Sequence, residues 1–170
     1  MKKIVLGIVI VSLFMTTAVL AAETKLDIDT IRTNCDGARS MIQRIVSSDK
    51  TSRINRGRAY DRMSNLFLNF IERLRQNNIN SQEFIEITNQ FNLAATNFRI
   101  DYDDYKNSID DVINRECVLR PNEFYGTLTD ARSKRKKVND DINILNEIIE
   151  RYQAAVGELN QSLYKDKKHE

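Results

Sequence analysis

The sequence predicts an all-α protein, an elongated antiparallel three-helix bundle of coiled-coil type. Three observations carry this reading. Apolar residues recur at alternating steps of three and four from Ile28 to Leu163, the spacing of helices packed along a seam. Five glycines and one proline in 170 residues leave too few turn formers for a barrel or sandwich of many short strands. A helix-start pattern also occurs twice, at Ile79–Phe84 and Leu119–Phe124.

The first segment precedes the bundle. Lys2 and Lys3 stand before an apolar run from Ile4 to Leu13, extended by Phe14 and Met15, with small residues at Ala18, Ala21 and Ala22. A basic start, an apolar centre and small residues at the end read as a secretory signal peptide over residues 1–21. The cut falls after Ala21, or alternatively after Ala22. Retained, residues 4–22 would rise about 28 Å as a helix and act as a signal anchor. Both readings place a single bundle domain, residues 22–170, outside a bacterial cytoplasm: in the periplasm, at the cell surface or secreted. Of 26 Lys and Arg, two are Lys2 and Lys3, while all 24 acids follow the cut. The mature chain is therefore formally neutral, and its composition implies no polyanionic partner.

The first helix is expected over about 27–76. Its seam reads Ile28, Ile31, Cys35, Ala38, Ile42 and Ile45, then Asp49, Ser52 and Arg56, then Ala59, Met63, Leu66 and Phe70. The cluster Ser47–Ser52 is loop-like in composition, and a break there would give four helices. The three–four rhythm runs through it, which favours one helix.

A second helix is expected over about 81–117, with Phe84, Ile87, Phe91, Ala94, Phe98, Tyr105, Ile109 and Val112 inward. Asn80 serves as its N-cap, Glu83 reaches back, and Ile79 staples to Phe84. The third helix, about 121–164, repeats that layout. Pro121 takes its first position, where a missing N–H costs nothing.

An unbroken first helix sets the register. A return from Asn80 makes facing residue numbers total about 157; Cys35 and Cys117 total 152. That axial offset of roughly 7 Å is one that modest bending closes to disulfide range. An exported chain with two cysteines most simply pairs them. The predicted Cys35–Cys117 bond staples the start of helix one to the end of helix two.

Between the second and third helices facing numbers total about 240. The basic run Arg132–Lys137, which by itself suggests a nucleic-acid or lipid patch, then lies opposite the acids around Asp101–Asp104. The reading is an internally neutralised belt. At this level polar residues interrupt the seam. Asp49 paired with Arg135, and Arg56 with Asp101, form a polar core layer that sets helix alignment. The competing reading has these side chains bulging to water.

The residue types exclude most catalysis. His169 is the sole histidine and lies one residue from the end, so no triad has its base. Adjacent aspartates such as Asp110 and Asp111 point about 100° apart on a helix and do not converge. Glycine-rich phosphate loops and metal-ligand spacings are missing from the sequence. No enzyme, cofactor, metal site or small-molecule substrate is therefore expected. Nucleic acid is an unfavoured partner, and a membrane is one only through a retained signal segment.

A helix facing a single seam cannot hide three consecutive apolar residues. Leu66-Phe67-Leu68 is accordingly the expected patch for self-association or a protein partner. The functional expectation is a non-catalytic envelope protein acting as a scaffold or adhesive module. The alternatives are a chaperone or carrier for apolar clients and a signal-anchored single-span protein.

Overall fold

The computed structural model of the chain describes residues 28–166. The signal-peptide reading of residues 1–21 and the position of His169 lie outside that range. The elements are α1 (Ile28–Thr33), α2 (Cys35–Gln76), α3 (Gln82–Asn114) and α4 (Pro121–Asp166), so the described chain is all-α. Three long antiparallel helices form the bundle, and α1 is a short leading turn.

The division of the first helix falls at Asn34, not in the serine-rich cluster. The Asn34 side-chain amide donates to the Thr30 carbonyl at 2.9 Å, beside its own backbone N–H at 3.1 Å. Two donors on one carbonyl tilt the turn. The ladder nevertheless continues, because Ala38 N donates to Asn34 O at 2.9 Å. At the cluster itself, Ser47 Oγ donates back to Gln43 O and Thr51 Oγ1 to Ser47 O. The hydroxyls bond within the helix and do not open it.

Gln76 ends α2 in a Schellman turn. Asn78 adopts φ 57°, Ile79 N donates to Leu74 O and Asn78 N to Arg75 O. Asparagine tolerates that left-handed conformation better than any other residue with a Cβ except aspartate and histidine. The N-cap of α3 is Ser81, one residue later than the expected Asn80; Asn80 supports the start from outside, its side-chain oxygen accepting from Gln82 N at 3.0 Å.

The second helix stops earlier than its expected end at 117. Arg115 is extended (φ −85°, ψ 136°) and Cys117 sits in the following turn, fully buried. Arginines of the first helix satisfy the backbone released there. Arg39 donates to Arg115 O at 3.0 Å and Arg32 to Val118 O at 3.3 Å. Dropping out of the helix is what carries Cys117 across the axial offset. The Cys35–Cys117 disulfide is formed, with its Cα atoms 5.8 Å apart. At the start of α4, Glu123 pairs with Arg115 and Arg120 and does not close a capping box.

The register agrees with the sequence arithmetic. Arg53 meets Asp103 and Ser64 meets Asn92, each pair totalling 156. Lys137 meets Asp101 and Arg151 meets Gln90, totalling 238 and 241. Helix α3 lies between the other two and is the most buried; Phe91, Phe98 and Val112 are almost wholly enclosed.

The seam of α2 departs from the expected one. After Asp49 the inward positions are 53, 57, 60, 64, 67, 71 and 74, whereas Ser52, Arg56, Ala59 and Leu66 are exposed. Two successive steps of four replace a four and a three. Such a stutter shifts the seam by one residue and keeps a nearly straight helix of 3.6 residues per turn against its neighbour.

Candidate interaction groove

The two outer helices, α2 and α4, run parallel to each other and antiparallel to α3. Among the described residues no Cα of α2 lies within 8 Å of a Cα of α4. Long side chains bridge that side of the bundle at two levels. At the first, Asp49 accepts from Arg135 Nε at 2.7 Å, from Arg135 Nη2 at 2.9 Å and from Tyr105 Oη at 2.8 Å. At the second, Phe67 stacks on Tyr152 with ring centroids 3.7 Å apart, and Phe70 meets the same tyrosine edge-on.

Between and beyond these crossings the groove opens into cavities of contrasting character. The central one, about 290 Å³, has Phe98 and Tyr102 as its floor and Ser52, Arg56, Arg135 and Asn139 on its walls. Toward the disulfide end lies an apolar cavity of about 190 Å³ between Ala38, Met41, Ile42, Ile45 and Leu128, with Arg132 at its edge. Toward the hairpin end a shallow apolar one of about 280 Å³ lies between Phe70, Leu74, Val156 and Leu159.

Burial raises the Tyr105 phenol above its ordinary value, and the bond to Asp49 raises it further. The same bond to Asp49 holds the Arg135 guanidinium in its charged form. The crossing is therefore a carboxylate held between a neutral phenol and a cation, with a bidentate guanidinium fork that favours one register.

The expected site residues are distributed unevenly. Asp49 and Arg135 pair as expected. Arg56 and Asp101 do not: the shifted seam turns Arg56 to the outer wall of the groove, and Asp101 faces α4. There Asp101 accepts from Lys137 Nζ at 2.8 Å. Asp101 and Asp141, 6% and 8% exposed, form a carboxyl pair. Burial first, then the hydrogen bond and charge of Asp101, push Asp141 up to about 6. Asp141 Oδ2 is buried and receives no donor from the protein. The sequence held a signal for this pair. Asp141 is in phase, at steps of seven, with the inward-facing Lys134, Ile148 and Ala155.

The expected patch also divides. Leu66 and Leu68 are 64% and 51% exposed, but Phe67 is 7% exposed and belongs to the core. The stutter brings its ring between Phe91 and Tyr152. By helical spacing Leu66 falls on the flank of α2 shared by the exposed Ala59 and partly buried Met63, the side that continues from Ser52 and Arg56 of the central cavity.

Most of the basic run is neutralised inside the fold. Lys134 pairs with Asp130, Arg135 with Asp49, Lys136 with Asp140 and Lys137 with Asp101. Arg132, like Arg56, has no acid or hydrogen-bond partner among the described residues. No three His, Cys, Asp or Glu side chains converge to hold a metal ion among the described residues. No helix there is long and apolar enough to cross a membrane. Against models of known protein families, curated proteins and solved structures, the chain matches none.

Proposed function

We propose that the protein is an exported, non-catalytic interaction module of a bacterial envelope, and that the α2/α4 groove is its working face. The observation that carries this reading is the groove itself. Its outer helices do not close on one another, and apolar side chains of α2 that the stutter leaves outside the core line its edge. The disulfide, together with the basic-then-apolar segment at residues 2–15, supports an extracytoplasmic site of action.

A carrier for apolar clients is the second reading, favoured by the cavity between Met41, Ile45 and Leu128. A photo-crosslinking residue placed at Leu66 or Met63 tests both in the native host. Adducts to a discrete envelope protein support the module, and a ladder of many unrelated clients supports the carrier. Adducts confined to Leu93, on the opposite face, overturn the assignment of the groove. The mass of the exported product shows in the same preparation whether residues 1–21 are removed.

A further inference from the structure

We infer that the α2/α4 groove receives an amphipathic helix of a partner protein, one with apolar residues toward both ends of its buried face and carboxylates at the centre. The inference rests on the interaction-module reading and names the chemistry of its partner.

The geometry favours a helix. Packed helix axes lie roughly 8–10 Å apart, and α2 and α4 both reach that distance to α3 but not to each other. A further helix laid between them, antiparallel to both, would complete a four-helix bundle. From Ala38 to Leu74 the groove runs about 54 Å at 1.5 Å per residue. The groove also has a pattern of character along that length. The cavity at Ile42 and Ile45 is apolar, as is the cavity at Phe70 and Leu74. Between them lies the cation-lined cavity.

Charge complementarity fixes the sign of the occupant. Across the three cavities the linings hold four arginines, Arg53, Arg56, Arg132 and Arg135, against one acid, Asp49. Asp49 is already consumed by Arg135, and Arg53 is answered by Asp103. Among the described residues Arg56 and Arg132 have no acid partner. An apolar or basic segment laid over them would bury cations without partners, which is strongly unfavourable. Carried through the register of α3, Arg132 stands level with Asp49, seven residues from Arg56. The two positions are thus about 10 Å apart along the helix axes, matching carboxylates about seven residues apart on a docked helix.

The test uses the mature, disulfide-bonded protein and two synthetic helical peptides of about 28 residues, long enough to span most of the groove. The peptides share apolar anchors and carry either Glu or Lys at the two central positions. Fluorescence anisotropy is expected to give at least tenfold tighter binding of the Glu peptide. That preference should shrink with rising salt and reverse in an Arg56→Glu/Arg132→Glu variant. Both arginines are exposed and have no partner among the described residues, so the variant should keep its helicity by circular dichroism. Equal affinity for the two peptides, or binding that Leu66→Asp does not weaken, overturns the inference. So does saturation of the groove by dodecanoate without peptide binding, or a concentration-dependent dimer abolished by Leu66→Asp. If crosslinks at Leu66 capture an envelope partner that the double charge reversal leaves unaffected, the charge rule fails while the module reading stands. Absence of any adduct at the groove removes the module reading itself.

Discussion

Asp141→Asn should stabilise the protein above neutrality and do almost nothing near pH 4. Asp141 sits on α4 against Asp101 of α3. Lys137 is one turn away and donates to Asp101; the charges of Lys137 and Asp140 also act on Asp141, in opposite directions. Burial and Asp101 raise Asp141 from 3.8 to about 6. Because the folded value lies above the unfolded one, the folded state holds the extra proton between roughly pH 4 and 6. The stability from this group is complete below the unfolded value and is lost as pH rises through the folded one. A rise of two units corresponds to at most about 3 kcal/mol; water around Lys137 screens the site and brings the expected loss to about 1–3 kcal/mol. Asparagine keeps the shape, supplies a permanent donor to the Asp101 carboxylate and does not ionise. Urea denaturation from pH 4 to 8 should therefore show the two proteins converging at acid pH. The variant should lead by about 1–3 kcal/mol at pH 8, or about 3–10 °C in Tm for a chain of this size. Subtracting one curve from the other removes the contribution of depressed acids such as Asp130, which acts in the opposite direction. A difference that is constant with pH, or a variant less stable at pH 8, would refute the assignment of a raised carboxyl to Asp141.

Phe67→Ala should cost about 3–5 kcal/mol through loss of its stack and the cavity left behind, while Leu66→Ala and Leu68→Ala stay within about 0.5 kcal/mol; equal effects in chemical denaturation would return Phe67 to the surface. Arg135→Leu leaves Asp49 with Tyr105 alone and should lower stability by about 1–2 kcal/mol; a higher Tm with one folded species would remove its role in alignment. Reduction of Cys35–Cys117, which closes a loop of 82 residues, should cost up to about 4–5 kcal/mol on the chain-entropy argument, and two free thiols in non-reducing mass mapping would eliminate the bond. Gly57→Ala and Gly126→Ala place a methyl group where nothing lies within 4 Å; each should add about 0.5–1 kcal/mol of helix stability, and a loss at either position would reveal a neighbour that the fold does not show.

Long-range order was legible here because it follows from lengths. Once α2 is one helix, the turn at Asn78 dictates which residues face each other, and both the disulfide and the opposition of acids to the basic run follow by counting. Local phase was less legible. Ala59, Met63 and Leu66 make a credible stripe, and so do Tyr60, Phe67 and Ile71; apolar spacing alone does not say which faces α3. The shift by one residue decided three expectations together. It separated Arg56 from Asp101, drew Phe67 inward and left Leu66 out. The end of α3 was missed for a different reason: Arg115 to Cys117 has no helix-breaking residue, and the turn is held from outside by Arg39, Arg32 and the disulfide.

The stutter also explains how one helix comes to have two apolar stripes. A strict three–four repeat on α2 would have required the pair to supercoil in order to keep contact over 42 residues. The extra step keeps α2 against α3 at Tyr60, Phe67, Ile71 and Leu74, but it rotates the first stripe, with Met63 and Leu66, toward α4. Helix α4 cannot cover that stripe. Its own inward face, at Leu145, Ile148 and Ala155, is committed to α3, and Ile142, Ile149 and Val156 reach the groove only partly buried. Two bridging contacts, the Asp49–Arg135 fork and the Phe67–Tyr152 stack, hold the outer helices at a distance and prevent collapse. A groove crossed at two levels in this way is partly preorganised, and such a surface would lose less conformational freedom on binding the proposed partner.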